Sequence, residues 1–260
     1  MENTSFFEGF AIVYQSYRFQ AGPIVKRYYA AFALPRSESD SRWVHMEKQL
    51  TRQDIQRITE DFLSRSQKPA TNPVKQFGIF IGGFPGSGKT SVAKEFARLS
   101  GAIHIQTNSA RFLLRETGFA WGDNVRKIIE NVLNYLFGKD FSIVLDGGFI
   151  EESEKSKRIE IINKYHLEAL SVAVTGSVET AETRARKRYA DSKPSTFDDW
   201  RISPERFEAY IQSATERQKK LNEILAQDPT IQVINNDGDI DHLVEEAGRI
   251  WKEFSQKPNL

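Results

Sequence analysis

The chain has 260 residues, a formal net charge of +1 and no cysteine. This length is enough for one large domain with an extension, and the near-neutral charge excludes a global attraction to nucleic acid or to membranes. The lack of cysteine excludes disulfides, thiolate catalysis and zinc sites with cysteine ligands. No apolar stretch is long enough to span a membrane, and the first residues lack the features of a signal peptide, so we expect a cytoplasmic protein.

The amino-terminal part of the chain shows no alternation of strands and helices. Its aromatic-rich stretches at residues 6–20 and 24–35 predict helices that pack on another surface. A further helix is predicted over 51–66, with Thr51 as its N-cap and one apolar face. We therefore expect an N-terminal helical region and linker over residues 1–73, which offers a surface for a protein partner.

A phosphate-binding loop is predicted at residues 83–90, where the sequence reads GFPGSGKT. This segment matches the pattern G-x-x-x-x-G-K-[ST] and follows an uncharged apolar run, 77–82, that is typical of a buried parallel strand. After it, an amphipathic pattern predicts a helix that stops at Gly101. Strand, glycine turn and helix in this order direct backbone N–H groups and a helix N-terminus at an anion, which predicts binding of a nucleoside triphosphate. The residues predicted to contact the nucleotide here are Gly83, Phe84, Pro85, Gly86, Ser87, Gly88, Lys89, Thr90 and Ser91.

Two side chains of this loop and one acid further along the chain predict how ATP and Mg²⁺ bind. Lys89 is expected to reach the β- and γ-phosphates, and the Thr90 hydroxyl is expected to hold Mg²⁺. Asp146 ends the apolar segment FSIVLD and is placed as the acid of a Walker B motif, which binds the metal. The predicted cofactors are therefore ATP and Mg²⁺, with Thr90 and Asp146 as the metal site.

From residue 77 onward, strand and helix patterns alternate regularly. The predicted strands are 77–82, 102–106, 141–145, 168–175 and 230–234. The predicted helices are 89–99, 124–137, 151–164, 177–188, 204–226 and 240–254. Because strands separated by helices form parallel sheets that are covered on both faces, we expect an α/β fold over residues 74–260. It is predicted to be a P-loop three-layer sandwich with a mostly parallel five-stranded sheet.

Residues outside the phosphate-binding loop indicate which class of P-loop protein this is. A water-activating ATPase carries a Glu directly after the Walker B acid, whereas Gly147 follows Asp146 here. A GTP switch needs a lysine in the segment that reads NNDGD at 235–239. The helix that carries Arg184 and Arg188 runs into a polar stretch, which is typical of a lid whose cations close over the phosphates. The opposing interpretation of these arginines is a solvated basic helix surface.

The order of the segments GFPGSGKT, HIQTNSAR, VLDGGF, VETAETRARKR and VINNDGD resembles that of a known group. It is similar to the small P-loop kinases that include polynucleotide kinases, zeta toxins and related small-molecule phosphotransferases. The resemblance covers about residues 76–255. It implies lid cations at Arg184 and Arg188, a cation of the acceptor site at Arg111, and a contact with adenine from Asn236.

One position departs from the pattern of these kinases. They carry an Asp that deprotonates the acceptor hydroxyl, three residues before the acceptor-site arginine, whereas this chain has Asn108. An amide cannot take the proton. Three interpretations follow: an acceptor that is already ionised, a substitute base for which Glu116 and Asp123 are the candidates, or a protein that has lost transfer and kept nucleotide binding.

We therefore predict an ATP-dependent phosphotransferase that moves the γ-phosphoryl group of ATP to a hydroxyl acceptor, with Asn108 and Asp123 on the acceptor side. The candidate acceptors are a small molecule, a nucleotide and the end of a nucleic acid. The near-neutral net charge speaks against long nucleic acid, which needs a basic stripe. The alternative prediction is a nucleotide-binding regulatory protein that is catalytically weak or inactive.

Overall fold

The structure, a computed structural model, describes residues 6–7, 10–18, 27–35, 50–66, 76–147, 152–191, 204–238 and 240–256. The chain divides into two units, Met1–Lys48 and Gln49–Leu260. The second unit therefore contains the helix predicted over 51–66 as well as the predicted phosphate-binding loop. Among the described residues, no helix combines the length and the apolar character that a membrane crossing needs. The polar stretch expected to form the lid, 192–203, lies outside the described residues.

The first unit is an antiparallel sheet. Its strands are β1 (Phe6–Phe7), β2 (Phe10–Arg18) and β3 (Arg27–Pro35), in the order β1-β2-β3. The pairing of β2 with β3 runs from Phe10 opposite Pro35 to Arg18 opposite Arg27. The helices predicted over 6–20 and 24–35 are therefore wrong. The many phenylalanine, tyrosine, valine and isoleucine residues of these stretches favour strands, and this preference outweighs the mixed spacing that had suggested helices.

The second unit is built on a parallel sheet. Its strands are β4 (Phe77–Gly83), β5 (Ile103–Gln106), β6 (Ile143–Asp146), β7 (Glu168–Thr175) and β8 (Gln232–Asn235). Their order across the sheet is β5-β6-β4-β7-β8, and each neighbouring pair is parallel. The predicted five-stranded α/β sheet is confirmed, and it is wholly rather than mostly parallel. Because β4 is the central strand, its apolar and glycine residues are enclosed on both faces.

The helices of the second unit follow most of the predicted bounds. They are α1 (Arg52–Arg65), α2 (Lys89–Ser100), α3 (Thr107–Glu116), α4 (Asp123–Phe137), α5 (Glu152–Tyr165), α6 (Val178–Asp191), α7 (Pro204–Gln212), α8 (Ala214–Gln227) and α9 (Ile240–Ser255). The helix α3 was not predicted, because it begins directly at the end of β5 without a capping side chain. The single helix predicted over 204–226 is two helices, α7 and α8. They are separated at Ser213, whose hydroxyl donates a hydrogen bond to the carbonyl of Tyr210.

Local signals explain where two of these helices begin and end. Thr51 accepts a hydrogen bond from the Asp54 backbone N–H, and Asp54 accepts one from the Thr51 backbone, so α1 starts in a capping box. The predicted N-cap is therefore confirmed. Gly101 ends α2 in a left-handed conformation, with φ of 70°, as the glycine stop had predicted.

The sheet separates two apolar cores. On one face, α1, α3 and α4 cover Phe80, Ile105 and Leu145. On the other face, α2 and α9 cover Ile79 and Val172 together with their neighbours. Successive residues of β4 thus point to opposite cores, as the alternation of side chains along a strand requires. Both faces of the sheet are thus covered by helices, and its carboxyl edge is where loops meet.

Residues at the carboxyl ends of the strands form the edge where the candidate site lies. The register pairs Ile81 of β4 and Gln106 of β5 with Asp146 of β6. On the other side of β4, Thr175 of β7 pairs with Asn235 of β8. Ligands of open parallel sheets bind outside this edge, at the point where the strand order reverses. Here that point lies next to the central strand β4, directly before the glycine-rich loop.

Candidate functional site

The loop between β4 and α2 is shaped by glycines that no other residue can replace without strain. Gly86 has a φ of +75°, and a Cβ at this position would lie 2.0 Å from the backbone oxygen of Ala181. Gly88 has a φ of +95°, and its Cβ would lie 2.1 Å from the side-chain nitrogen of Asn236. The loop therefore packs closely under α6 and under the turn after β8. The free N–H groups at the start of α2 point toward any anion held above the loop.

Two polar side chains of this loop fit a bound polyphosphate. The Ser87 hydroxyl is buried and has no hydrogen-bond partner among the residues that the structure describes. The Lys89 ammonium donates a hydrogen bond to the Phe84 carbonyl, at 2.8 Å. A phosphate oxygen would give the Ser87 hydroxyl the partner that buried polar groups normally have, and it is a charged acceptor for the remaining N–H groups of the Lys89 ammonium.

The charge of Lys89 is destabilised in its surroundings. Burial lowers the pKa of Lys89 to about 8; Asp146 opposes this shift, and Arg217, Arg111 and Arg188 add to it. The charges of three arginines therefore disfavour the charged ammonium, and Asp146 is the acid whose charge favours it. An arriving anion would relieve this repulsion, which is the electrostatic condition for binding phosphate.

Asp146 lies buried at the end of β6, beside the start of α2. The distance from its Oδ2 to His104 Nε2 is 3.7 Å. Burial acts to raise the pKa of Asp146, but interactions with His104 and Thr90 and the charge of Lys89 lower it overall. The carboxylate is therefore ionised near neutral pH and lies within hydrogen-bond reach of the Thr90 hydroxyl.

The pair Thr90 and Asp146 fits the predicted magnesium site. Mg²⁺ prefers oxygen ligands, binds through one or two protein groups, and takes its other ligands from phosphates and water. Within the described parts of the chain, no cluster of three or more His, Asp or Glu side chains offers a metal site built from protein alone. A hydroxyl and an ionised carboxylate next to a phosphate-binding loop are the donor set that this ion takes in the presence of a nucleotide.

The residues predicted for the acceptor side lie on the first turns of α3. Asn108 is the second residue of this helix, and its side-chain oxygen accepts a hydrogen bond from the Arg111 guanidinium. The Arg111 carbonyl in turn accepts a hydrogen bond of 3.0 Å from the indole N–H of Trp121, whose ring packs against the core. The neighbouring residue Thr107 bonds to the carbonyl of Asp146, at 3.2 Å. Asn108 and Arg111 are thus brought to the same edge as Asp146.

The turn after β8 is tied to the phosphate-binding loop and to α6. The Asn236 side chain is buried and donates a hydrogen bond of 2.7 Å to the carbonyl of Ser87. Arg184 donates to the carbonyls of Asn236, at 2.7 Å, and Gly238, at 3.2 Å. The prediction put Arg184 on the phosphates and Asn236 on adenine; in the described structure both side chains hold the turn and the loop together.

The cations on α6 and α8 differ in their partners. Arg186 pairs with Glu182 along its own helix and with Glu208 on α7, so its charge is compensated. By contrast, Arg188 and Arg217 form no ion pair within the described part of the chain. Instead, both act electrostatically on Lys89 and on the half-buried Tyr210.

Two predicted residues lie away from these groups. The Asp123 side chain is 78% exposed on the first turn of α4 and pairs with Arg126 on the same helix, at 3.0 Å. Glu116 is exposed at the end of α3. No contact in the described structure joins either acid to Lys89 or Asp146. Conversely, sequence reasoning missed Arg217 and Tyr210, since a single arginine in a helical pattern carries no signal of what the fold places beside it.

The comparisons with known proteins agree with this geometry. The family model AAA_33, an AAA domain, matches residues 79–216, which is more than half of the chain. The chain belongs to the AAA_33 family. The matched segment begins inside β4, includes the phosphate-binding loop and Asp146, and ends one residue before Arg217. The relationship to small P-loop kinases that the sequence predicted is thereby confirmed. No curated protein matches this AAA_33 chain.

Solved structures share the fold of this AAA_33 protein. The crystal structure of Chaetomium thermophilum Kti12 in complex with ADP-AlF3 superposes with a TM-score of 0.50 at 16% identity, over 67% of this chain and 97% of that chain. A structure of the PezAT toxin–antitoxin system of Streptococcus pneumoniae gives a TM-score of 0.49 at 14% identity, over 80% and 98% of the two chains. A gluconokinase from Sinorhizobium meliloti 1021 gives 0.46 at 16% identity, over 70% and 97%. The likeness to the Kti12 structure concerns the fold, an α/β domain built on a parallel sheet.

The need for glycine at position 86 is testable against a matched control. We expect Gly86→Ala to weaken ADP binding and to lower the melting temperature, because the new methyl group collides with the backbone of α6. Gly101→Ala is the control: its φ is +70°, but a Cβ there meets nothing within 4 Å. It should cost only the left-handed strain, about 1–2 kcal/mol of unfolding free energy, and leave ADP affinity intact. Equal effects of the two variants on ADP affinity would contradict the packing described for the loop.

Proposed function

We propose that this protein is an ATP-dependent phosphotransferase that moves the γ-phosphoryl group of ATP to a hydroxyl acceptor. The observation that carries the proposal is the grouping of Lys89, Thr90 and Asp146 at the edge of β4 and β6, where the charges of several arginines also act on Lys89. Positioning and charge neutralisation supply most of the catalysis in phosphoryl transfer. A site with several cations, one metal-binding carboxylate and a glycine-rich loop has the parts that this reaction needs.

Each part has a defined role in the proposed reaction. The backbone N–H groups of the loop and the Lys89 ammonium hold the β- and γ-phosphates, and the nearby guanidinium groups stabilise the negative charge of the transferred group. Mg²⁺, held by Thr90 and Asp146, would supply further neutralisation of the phosphates. The acceptor oxygen forms a bond to the γ-phosphorus while the bond from the γ-phosphorus to the bridging oxygen breaks, and ADP leaves.

The proton of the acceptor hydroxyl has no obvious base at position 108. The Asn108 oxygen accepts a hydrogen bond from Arg111 and cannot take a proton. Because the transition state is loose, the proton can pass late in the reaction to an oxygen of the transferred phosphoryl group. Asp123, which we predicted as a substitute base, is exposed on α4. Its participation requires that the turn before α4 close over the acceptor.

The second candidate function is nucleotide binding without transfer, as in a regulatory protein. The hydrogen bond between Arg111 and Asn108 favours it, since an amide that cannot take a proton stands where the related kinases carry the catalytic base. Incubation of the full chain with ATP labelled at the γ-position and a metabolite extract separates the two functions. A labelled extract component that requires the protein supports the phosphotransferase, whereas binding of ATP without any labelled product supports the regulatory protein.

The affinity for ADP is expected to fall as the pH rises through about 8. The pKa of Lys89 is about 8, and a bound diphosphate raises it, because an anion favours the charged ammonium. Binding therefore takes up a proton above pH 8, and log Kd should increase with pH by up to about one per pH unit. Calorimetric titration with ADP in the absence of divalent cations, between about pH 7 and 9.5, measures this slope.

The control for this titration is Lys89→Met, which removes the titrating ammonium. This variant should bind ADP weakly and with little dependence on pH above 7.5 or so, where the terminal phosphate of ADP is already ionised. A wild-type affinity that stays flat across the range would contradict a contact between Lys89 and the phosphates.

A further inference from the structure

His104 lies on the same face of the sheet as Asp146. In the register of β5 and β6, His104 is opposite Val144, and Asp146 is two residues further along its strand. Since side chains alternate along a strand, all three point to one face, and Val144 belongs to the core that α2 covers. The imidazole therefore extends along the sheet toward the carboxyl edge, where Asp146 ends β6 and α2 begins.

The outer ring nitrogen of His104 is buried beside the Asp146 carboxylate. The His104 side chain is 13% exposed, and its Nε2 has no hydrogen-bond partner within the part of the chain that the structure describes. The distance of 3.7 Å from Nε2 to Asp146 Oδ2 is longer than a hydrogen bond. It leaves no room for a water molecule between the two atoms, because a bridging water separates them by about 4.5 Å or more. A shift of about 1 Å would therefore close a direct hydrogen bond.

The backbone of Asp146 is held in place on both sides. Its carbonyl accepts a hydrogen bond of 3.2 Å from the Thr107 hydroxyl, and the N–H of Gly147 donates one of 3.0 Å to the Ile81 carbonyl. The torsion that turns the carboxylate plane of an aspartate has only a broad intrinsic preference. A hydrogen bond to one carboxylate oxygen would restrict this rotation and leave the other oxygen for a metal ion.

Resting on the magnesium site of the proposed function, we propose that His104 is a positioning residue for Asp146, donating a hydrogen bond from Nε2 to Oδ2 when Mg²⁺ binds with the nucleotide. His104 itself touches neither the metal nor the nucleotide. Its buried nitrogen gains the partner that such groups normally have. Hydrogen-bonded partners of metal ligands orient those ligands and raise the affinity for the metal. The role requires an N–H donor at the position of Nε2, and a neutral donor is sufficient.

The coupling between Mg²⁺ and ADP measures this role without any acceptor. The full chain is titrated with ADP in a calorimeter, once with a chelator present and once with saturating Mg²⁺. The ratio of the two dissociation constants reports how strongly the ADP-loaded protein binds Mg²⁺, relative to ADP in solution. We expect His104→Leu to lower this ratio by about tenfold or more. The affinity for ADP in the absence of metal should stay at the wild-type value.

Two amide variants test the position of the donor. His104→Gln carries an N–H group about as far from the backbone as Nε2 and should retain the wild-type ratio. His104→Asn is one methylene shorter and should lower the ratio as His104→Leu does. Because both amides are polar and neutral, a difference between them isolates the reach of the donor from polarity and charge.

His166→Asn is the matched control for these variants. His166 is exposed and precedes β7, at the opposite edge of the sheet from Asp146. This variant removes an imidazole from the chain without changing the surroundings of the carboxylate. Both dissociation constants should therefore equal those of the wild type.

The melting temperature separates positioning from a structural role. His104→Leu removes a buried nitrogen that has no partner within the described residues, so the metal-free protein should melt at or above the wild-type temperature. A histidine that only supports the fold would behave differently. All three His104 variants would then melt earlier and bind metal-free ADP more weakly, and this result would overturn the inference.

Two further outcomes would contradict the proposed role of His104. One is a His104→Leu protein with the wild-type ratio, and the other is a His104→Gln protein that loses as much as His104→Leu. In both cases the wild type still binds ADP together with Mg²⁺, so the proposed function stands. A wild-type protein that binds ADP only in the absence of Mg²⁺ would contradict the magnesium site itself, and the inference with it.

Discussion

Lys89→Ala is expected to reduce phosphoryl transfer by about a hundred- to a thousandfold while the protein stays folded. The ammonium is the cation closest to the start of α2, and its stabilisation of charge on the phosphates grows as the γ-phosphoryl group leaves. The rate should therefore fall more than the affinity for ATP. The measurement is the transfer of label from γ-labelled ATP, with nucleotide affinity determined separately.

Stability should change little in this variant. The lowered pKa of Lys89 means that the folded protein disfavours its charge, so removing it should not destabilise the fold. The hydrogen bond to the Phe84 carbonyl is lost, but that carbonyl can accept one from water in the vacated space. Lys94→Ala, at an exposed position on the same helix, is the control and should retain full activity. If Lys89→Ala transferred the γ-phosphoryl group at the wild-type rate, this result would contradict the proposed kinase function.

Asn108→Asp is expected to increase the rate, by up to about a hundredfold if the missing base limits transfer to a hydroxyl. The new carboxylate would lie next to the position expected for the acceptor hydroxyl and would take the proton of that hydroxyl. It would also accept the hydrogen bond that Arg111 now donates to Asn108, as a charged pair. This pairing lowers the pKa of the carboxylate and draws Arg111 away from the acceptor, so kcat should rise while KM for the acceptor increases.

Asn108→Ala separates the two effects, because it releases Arg111 without adding a base. It should change KM for the acceptor and leave kcat near the wild-type value. If the attacking group of the acceptor is already an anion, Asn108→Asp should instead lower the rate, since like charges at such a site repel by about 1 kcal/mol or more. Identical kinetics of all three proteins would mean that residue 108 does not face the acceptor.

The two predictions also bear on the second candidate function. If the protein is regulatory and only binds nucleotide, it shows no phosphoryl transfer. Neither Lys89→Ala nor Asn108→Asp would then change the transfer rate. Nucleotide affinity would then be the property that Lys89→Ala changes. The pair of variants therefore tests the phosphotransferase proposal even before the natural acceptor is known, provided that a metabolite extract supplies it.

The P-loop sheet could be predicted from sequence because each of its signals is local. The run from Phe77 to Gly82 is apolar on both faces, since a central parallel strand is buried on both sides. Gly86 and Gly88 occupy left-handed conformations that other residues rarely adopt, so the loop is visible in the sequence itself. Asp146 was recognisable because it ends a buried strand.

The predictions for other elements were wrong or missing where the local sequence signals for helix and strand conflict or are absent. The stretches that form β2 and β3 lack a regular period, and their pairing with each other, rather than local spacing, makes them strands. The helix α3 has no capping side chain and carries Phe112, Leu113 and Leu114 in a row. Its helical state depends on burial against α4 and β5, which the sequence does not display.

The amino-acid sequence by itself determined the phosphate-binding loop, the five strands from Phe77 onward with most of their helices, and the unusual amide at Asn108. Only the tertiary structure decided which distant side chains act together there: Arg184 and Asn236 meet at the turn after β8, and the charge of Arg217 acts on Lys89. The physical reason is that backbone conformation follows from neighbours in the chain, whereas the field at a site is the sum over charges that the fold brings together. Arg217 is more than a hundred residues from Lys89 in the chain, and nothing in the sequence near Arg217 indicates that the two charges repel each other.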